Sequence, residues 1–466
     1  MMTQPRYLAT PQAKPSRFVP RLLASLLTAS TLAGCSGSEI TPGNSKVPES
    51  ATRATINQGI ETTVIKGESN PECGKLVTPL TAKEQEYAKV AWQYFVNNRQ
   101  PETGFTNAAN QFPSGTLWDQ GNYLMALNAA HWLGVIDQQA FDQHLNQFLT
   151  SLGTLSLVEG ALPNKVYNSA TAEMVDYNNK PTQQGLGWSA LDIGRLLTAF
   201  HIIRTCHPQY DDWISGIMAT WQIARSVKDG QLYGAVVEAD GSLQLVQEGR
   251  LGYEEYAARG YHLWGFDVPK ALETEPMEWV DVSGVNIPVD QRAFDETNAN
   301  NYVVSESYIL EAIEFGWNPD LKRSAEAVLA AQENRYEKTD QLTAVSEDNV
   351  DQEPHFLYNT VYANGMPWAV ITEKNEPYPE LRTLSTKAAF GWYYLFPKKP
   401  YTLSLINAAK DLQDPAGNGF YAGIYEKTGD INAILTGNTN GLILEILYYK
   451  ALGNQPILKV NQTKQS

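Results

Sequence analysis

The sequence predicts an all-α fold, a closed (α/α)6 toroid (six-hairpin barrel) with long loops and one small β-hairpin at an end. Three observations lead there. Helical periodicity dominates from Leu80 onward, in about twelve stretches. No domain-breaking linker interrupts the roughly 380 residues that carry them. No repeat of about 34 or 40 residues recurs, which disfavours an open solenoid. Six helical hairpins most commonly close into a toroid: an inner ring, an outer ring, and loops at one end that build a concave site.

In chain order, Thr81-Ala82-Lys83-Glu84 reads as a capping box opening a helix that runs to about Asn98. Further helices are expected near 117–133, 137–152, 187–205, 209–227, 252–264, 304–316, 319–335, 357–372, 380–396, 400–413 and 439–452. Strand-like runs are few, and Leu232–Glu238 with Leu243–Gln247 reads as a hairpin around Asp240-Gly241. The Gly-, Asn- and Pro-rich connections 153–186, 267–303 and 336–356 are the expected walls of the site, because loops of that length are usually functional. The toroid is expected over 76–456, with a short tail over 457–466.

Residues 1–34 hold Arg6, Lys14, Arg17 and Arg21 and no acid. The apolar run Leu22–Gly34 is too short to span a bilayer. It ends in Leu32-Ala33-Gly34-Cys35, which resembles the lipobox of lipoprotein signal peptides; an ordinary secretory signal with a chance cysteine is the alternative. The resemblance implies a diacylglycerol on the Cys35 thiol and Cys35 as the mature N-terminus, held to a membrane by lipid alone. Ser36 favours the outer membrane, by likeness to Gram-negative sorting. Residues 35–75, rich in Ser, Thr, Gly, Pro and charge, read as a flexible tether. No later segment offers about 18 uninterrupted apolar residues.

Cys73 and Cys206 remain. In an exported chain they suggest one disulfide, with two separate buried thiols as the alternative. Loss of the leader takes the formal net charge from −16 to −20. Such an acidic surface argues against nucleic acid and against anionic head groups. The 11 Trp and 24 Tyr lean weakly towards carbohydrate, whose clefts use rings as platforms, but aromatics also fill cores.

Six stretches join an acid, an aromatic or small residues at a helix start or loop: Leu117–Gly121, Gly187–Asp192, Glu248–Tyr256, Ser305–Tyr308, Ser346–Asp348 and Tyr421–Glu426. Helix capping explains any one of these acids. Their recurrence along a toroid points to a cleft instead, because inner-helix N-termini gather at one end.

These segments resemble the bacterial family labelled domain of unknown function 3131. The likeness runs from about Ala82 to Gly453. It includes Trp118-Asp119, the Gly185–Leu197 stretch with Trp188, Asp192 and Arg195, Glu248–Ala258, Ser305–Tyr308, Leu342–Asp348, Ser385–Ala389 and Asn438-Thr439-Asn440. The resemblance implies kinship with (α/α)6 glycosidases acting on β-glucans, including β-1,2-glucanases. A carboxyl acid and a carboxylate base or nucleophile would then be needed. Glu254, after Tyr253, is the first candidate acid and Glu255 its rival, since only one of two adjacent helical residues can face the cleft. Asp348 or Glu347 is the candidate base. Asp119 and Glu306 are expected to hold sugar hydroxyls, and either could replace the base. Trp118, Trp188, Tyr256 and Trp392 are candidate platforms with competing core roles. Arg250 and Lys387 are candidates to orient carboxylates or hydroxyls, with surface salt bridges as the alternative. Asp192, Tyr253, Glu426 and Asn440 complete the expected binding set.

There is no HExxH, P-loop or paired CxxC motif, and no GxSxG elbow; Asp211-Asp212 is not a DDxxD. His131, His144, His201, His207, His262 and His355 show no ligand spacing. No metal or cofactor is expected, and a monomer with a polysaccharide or oligosaccharide substrate is. The leading expectation is an envelope glycoside hydrolase or transglycosylase. The alternatives are a non-catalytic polysaccharide-binding lipoprotein that assists export or assembly, and a lyase or epimerase on the same toroid.

Overall fold

A computed structural model describes residues 73–458. The leader, Cys35, most of the 35–75 tether and residues 459–466 lie outside the described residues. The helices are α1 (Ala82–Asn98), α2 (Leu117–Trp132), α3 (Gln138–Leu152), α4 (Ala190–Cys206), α5 (Asp211–Thr220), α6 (Tyr253–Leu263), the single turn α7 (Phe294–Thr297), α8 (Glu306–Leu310), α9 (Pro319–Thr339), α10 (Thr386–Leu395), α11 (Pro400–Ala409) and α12 (Gly437–Ala451). A π-helical turn, Glu311–Phe315, extends α8.

Six of these form a closed inner ring. Each packs on the next in the order α2, α4, α6, α8, α10, α12, and α12 returns to α2. Burial shows why. In α2 and α12 nearly every residue is buried, as expected of a helix wrapped on all sides. Outer α3 buries only Phe141, Leu145, Phe148, Leu149 and Leu152, one face at helical spacing. The rings approach closely where side chains vanish. A Cβ on Gly194 of α4 would lie 2.7 Å from the Cβ of Ala257 in α6, so only glycine fits there.

The fold is thus the expected (α/α)6 toroid, with two departures. Between α6 and α8 the outer position is filled by a hairpin, Met277–Val282 with Val285–Asp290, which packs on α9. The helix expected at 357–372 is absent. That stretch forms the short strands Phe356–Asn359, Tyr362–Ala363, Met366–Pro367 and Val370–Ile371. Burial alternates over Phe356–Asn359, and Asn364, Gly365 and Trp368 have positive φ, which no helix permits. The predicted hairpin forms at Gln231–Val237 and Leu243–Gln247. Cys73 and Cys206 are bonded, with Cα atoms 5.6 Å apart, which ties the segment before α1 to the end of α4. Ile457 and Leu458, expected in the tail, are buried, and their amides donate to the carbonyls of Ile313 and Glu314. Among the described residues no helix is long and apolar enough to cross a membrane.

One buried network pins the ring along its axis. Arg195 of α4 is wholly buried. Its Nε donates to Asn122 of α2 at 2.8 Å and its Nη2 to Glu445 of α12 at 2.5 Å. Nη1 reaches Glu314 beyond α8 and the Tyr256 hydroxyl of α6, and that hydroxyl donates to Glu314 at 2.9 Å. Five of the six inner helices therefore share one guanidinium.

Candidate active site

The inner helices begin at one mouth of the toroid, and each carries a polar side chain in its first turn: Asp119, Asp192, Glu254 with Glu255, Glu306, Lys387 and Asn438. The N-terminal ends of six helices offset part of the cost of gathering acids there. On the α10 side, Lys387 Nζ lies 2.5 Å from Glu306, 3.5 Å from Asp348 and 4.0 Å from Glu347. Asn438 Nδ2 approaches both oxygens of Glu306 at 3.2 Å. The Tyr253 hydroxyl donates to Glu347, and Ser346 Oγ adds a second donor at 3.1 Å. Burial pushes the Asp348 carboxyl up to about 7 against the pull of Lys387, and it raises Glu347 in the same way. Asp119 accepts the Thr116 amide and hydroxyl in a capping box, so its structural role is real. Burial chiefly, helped by Glu306, raises it as well.

A second group sits on the α4 side. Asp192 stays partly exposed, and burial followed by the charge of Glu248 pushes it up to about 7. Glu248, at the end of the predicted hairpin, reaches the start of α4: Oε1 accepts from Ser189 Oγ at 2.8 Å and Oε2 from the Ala190 amide at 2.5 Å. The local backbone makes room for this. A Cβ on Gly234 would lie 2.5 Å from Glu248, and one on Gly187 would strike the Ala235 carbonyl. In the ring order α4 stands opposite α10, so the two acid groups face each other across the mouth.

Aromatic rings line the space between. Trp118 is half-buried, 5.5 Å from Tyr253 edge to face, and forms a floor 5.8 Å above the Arg195 guanidinium. Tyr253 meets Tyr302 at 5.9 Å, and Tyr302 stacks on Tyr358 at 4.2 Å. Tyr177, on the 153–186 loop, is 65% exposed yet lies within electrostatic reach of Asp192, Glu248 and Glu373.

Several expected residues lie elsewhere. Trp188 and Trp392 are wholly buried, with indole donors spent on the Tyr233 carbonyl and Ser305 Oγ, so neither offers a face to a ligand. Tyr256 belongs to the axial network. Glu255 caps its own helix through the Gly252 amide and borders a side cavity of about 300 Å³ with Arg259 and Leu272, outside the ring. Glu254 has both oxygens engaged, Oε1 by Gln247 at 2.9 Å and Oε2 by Arg292 at 2.8 Å. Burial still pushes it up to about 7. Arg250 is buried among the Arg292 carbonyl, Gln247 and Thr297. Glu426 is clamped by Arg335 at 2.8 Å and flanked by Arg382 at 3.4 Å, away from the mouth. Asn440 braces the Phe420 and Thr436 backbone; its neighbour Asn438 is the one that faces the acids. Conversely, sequence reasoning gave no role to Ser189, Glu248 or Asn438, though each lies in a stretch it singled out, and it passed over Tyr177, Tyr302 and Tyr358. Glu248 had a signal, since it ends a recognised hairpin. The tyrosines sit on loops whose paths no periodicity reveals.

Residues 86–453 match the family described as "Protein of unknown function (DUF3131)". The chain belongs to this family. No curated protein matches it. Among solved structures, the DUF3131 chain is similar to an endo-β-1,2-glucanase of Chitinophaga pinensis in complex with sophorotriose and glucose: 13% identity, 82% of this chain and 97% of that one, TM-score 0.56. A Bacteroides fragilis protein provisionally named a glucoamylase matches at 12% identity over 82% and 96%, TM-score 0.56. The endo-β-1,2-glucanase of Talaromyces funiculosus in complex with sophorose matches at 13% over 80% and 85%, TM-score 0.55. At these identities the likeness is one of fold.

Proposed function

We propose that this DUF3131 chain is a glycoside hydrolase that cuts a β-glucan in the cleft at the inner-helix N-termini. The observation that carries the reading is the mouth itself: two carboxyl groups held on opposite sides of an aromatic-walled space, in the fold that the β-1,2-glucanases also use. Hydrolysis needs a carboxylate to take a proton from water and a carboxylic acid to give one to the leaving oxygen. Glu347 suits the first role. Burial raises its basicity, Lys387 keeps it available as an anion, and Tyr253 and Ser346 fix its orientation. Glu306 and Asp348 hold Lys387 in place. Glu254, with a guanidinium on one oxygen and an amide on the other, suits positioning better than proton donation.

The test is incubation of the purified full-length protein with a panel of β-glucans of defined linkage, β-1,2 included. Oligosaccharide release is expected from at least one, with a loss of ~10³-fold or more in Glu347→Gln. If no glucan in the panel is cut, the reading fails. Tight glycan binding without turnover, unchanged by amide substitutions, would favour a binding protein instead.

We also propose that a lipid on Cys35 keeps this cleft beside an envelope polymer. The lipobox-like Leu32-Ala33-Gly34-Cys35 motivates this. Cys35→Ser should move the protein from the membrane to the soluble fraction, and an unchanged partition would exclude the anchor.

A further inference from the structure

We infer that Asp192 is the general acid of the cleft, carrying at neutral pH a proton whose place is fixed by Ser189 and Glu248. This rests on the glycosidase reading above. The argument is a count of hydrogens. Ser189 Oγ meets three polar atoms: the Asp192 amide nitrogen at 3.1 Å, Asp192 Oδ1 at 3.0 Å and Glu248 Oε1 at 2.8 Å. A hydroxyl brings one hydrogen and two lone pairs. The amide gives its hydrogen to Oγ, so Oγ can give its own to only one of the two carboxyl oxygens. The other oxygen–oxygen contact is attractive only if that carboxyl brings a hydrogen. Glu248 is the poorer holder. Its second oxygen accepts the Ala190 amide over the N-terminus of the 17-residue α4, where backbone donors and the helix dipole favour an anion. The proton therefore belongs to Asp192. Asp192 is also the member of the trio in the first turn of α4, opposite the Glu347 side.

A plain cap does not account for this arrangement. Ser189 alone caps α4, as Thr116 with Asp119 caps α2. The approach of Glu248 adds a second carboxyl to a cap that is already complete, and it requires Gly234, where a Cβ would lie 2.5 Å from a Glu248 oxygen. In the reaction, the Asp192 proton turns from Ser189 Oγ to the glycosidic oxygen and passes to it as the C1–O bond breaks, and the bonding electrons leave with that oxygen. Glu347 takes a proton from the water whose oxygen forms the new bond to C1. Ser189 turns its hydrogen towards the new Asp192 carboxylate. Solvent then returns a proton to Asp192 and removes one from Glu347.

The experiment compares two substrates on the full-length protein: the glucan that the wild type cuts, and an oligosaccharide of the same linkage with a dinitrophenyl leaving group, whose departure needs no proton. Asp192→Asn should lose ~10²–10⁴-fold on the glucan and less than ~10-fold on the dinitrophenyl substrate. Glu248→Gln removes the neighbouring charge and should move the basic limb of the kcat/KM profile on the glucan to lower pH. Equal losses on both substrates, or a wild-type rate on the glucan, would overturn the assignment while leaving the glycosidase reading intact. If the wild type cuts neither substrate, both fall.

Discussion

The toroid buries two clusters of charge, one on its axis and one at its mouth, and they are built on opposite terms. On the axis, three guanidinium nitrogens of Arg195 are spent on Asn122, Glu314, Tyr256 and Glu445. Burial pushes the Glu445 carboxyl well up, towards its neutral form, which eases the load of acid on the single guanidinium. At the mouth, Lys387 answers three carboxyl groups, while Asp119, Asp192 and Glu248 stand nearby without an ion pair of their own among the described residues, and Asp119 and Glu248 feel Lys387 and Lys165 only at longer range. Both clusters set carboxyl groups around one basic side chain, though Asp192 and Glu248 at the mouth stay partly exposed. The axial one costs desolvation and returns it as a fixed ring geometry. The mouth keeps an excess of acid that the fold does not need, and excess acid of this kind marks a functional site.

Exchanging the roles of the two clusters is the strongest way to break that contrast. Glu347→Gln should abolish turnover by ~10³-fold or more while leaving the thermal midpoint within a few degrees of the wild type. Arg195→Met should do the reverse. It strands Glu314 and Tyr256 in the core and should cost about 3–5 kcal/mol in denaturant unfolding. The fraction that stays folded should keep its turnover within a few-fold, because Arg195 reaches the cleft only through the Trp118 floor. Equal stability losses in both variants would show that the mouth, too, is structural.

A smaller effect separates the clusters by pH. Asp192 stands at about 7 in the fold, against 3.8 for an ordinary aspartate. A group raised in this way supports folding while protonated, and that support drains away as pH climbs from about 4 through 7. Asp348 and Glu254, both near 7, act in the same direction. Asp192→Asn should therefore gain on the wild type between pH 5 and pH 8, by about 1–2 kcal/mol once the partial exposure of Asp192 is allowed for. A constant difference in unfolding free energy across that range would place Asp192 at its ordinary value. The same proton predicts that hydrolysis declines as pH rises through about 7.

The two clusters were also unequally legible in the sequence. The ring was readable because its helices announce themselves by period and cap: Thr81 with Glu84 and Thr116 with Asp119 form the boxes the spacing implies. The mouth was half readable. Asp119, Glu306 and Lys387 converge because the N-termini of a closed ring must converge, and Glu347 and Asp348 join them from a short strand, Glu347–Asn349. The order within adjacent pairs was hidden. Glu254 and Glu255 differ only by a 100° turn of α6, which sends Glu255 to its own cap and Glu254 to Arg292. Trp188 and Trp392 read as platforms since a tryptophan in a sequence carries no sign of which way it faces; both turned inward to fill the core. The Ser189–Glu248 contact joins residues 59 positions apart and depends on Gly234, whose purpose is visible only in three dimensions. The strands at 356–371 were missed because a short apolar run without caps fits either period.

The smallest predicted effect concerns Tyr177, which belongs to neither cluster. Its ring is 65% exposed, which is wasteful for a tyrosine that only packs. It nevertheless lies within electrostatic reach of Asp192 and Glu248 on one side and of Glu373, on the 356–378 segment, on the other. That position suits a lip that covers a sugar ring after it enters, contributing contact area at the low ordering cost of two torsions. Tyr177→Ala should raise KM several-fold, equivalent to about 1 kcal/mol of lost stacking, with kcat nearly unchanged. Tyr177→Phe should behave as the wild type, because the face and not the hydroxyl does the binding. Should the alanine variant lose kcat instead, Tyr177 would belong with the acids beneath it, and the division between a structural axis and a reactive mouth would extend to the loop above.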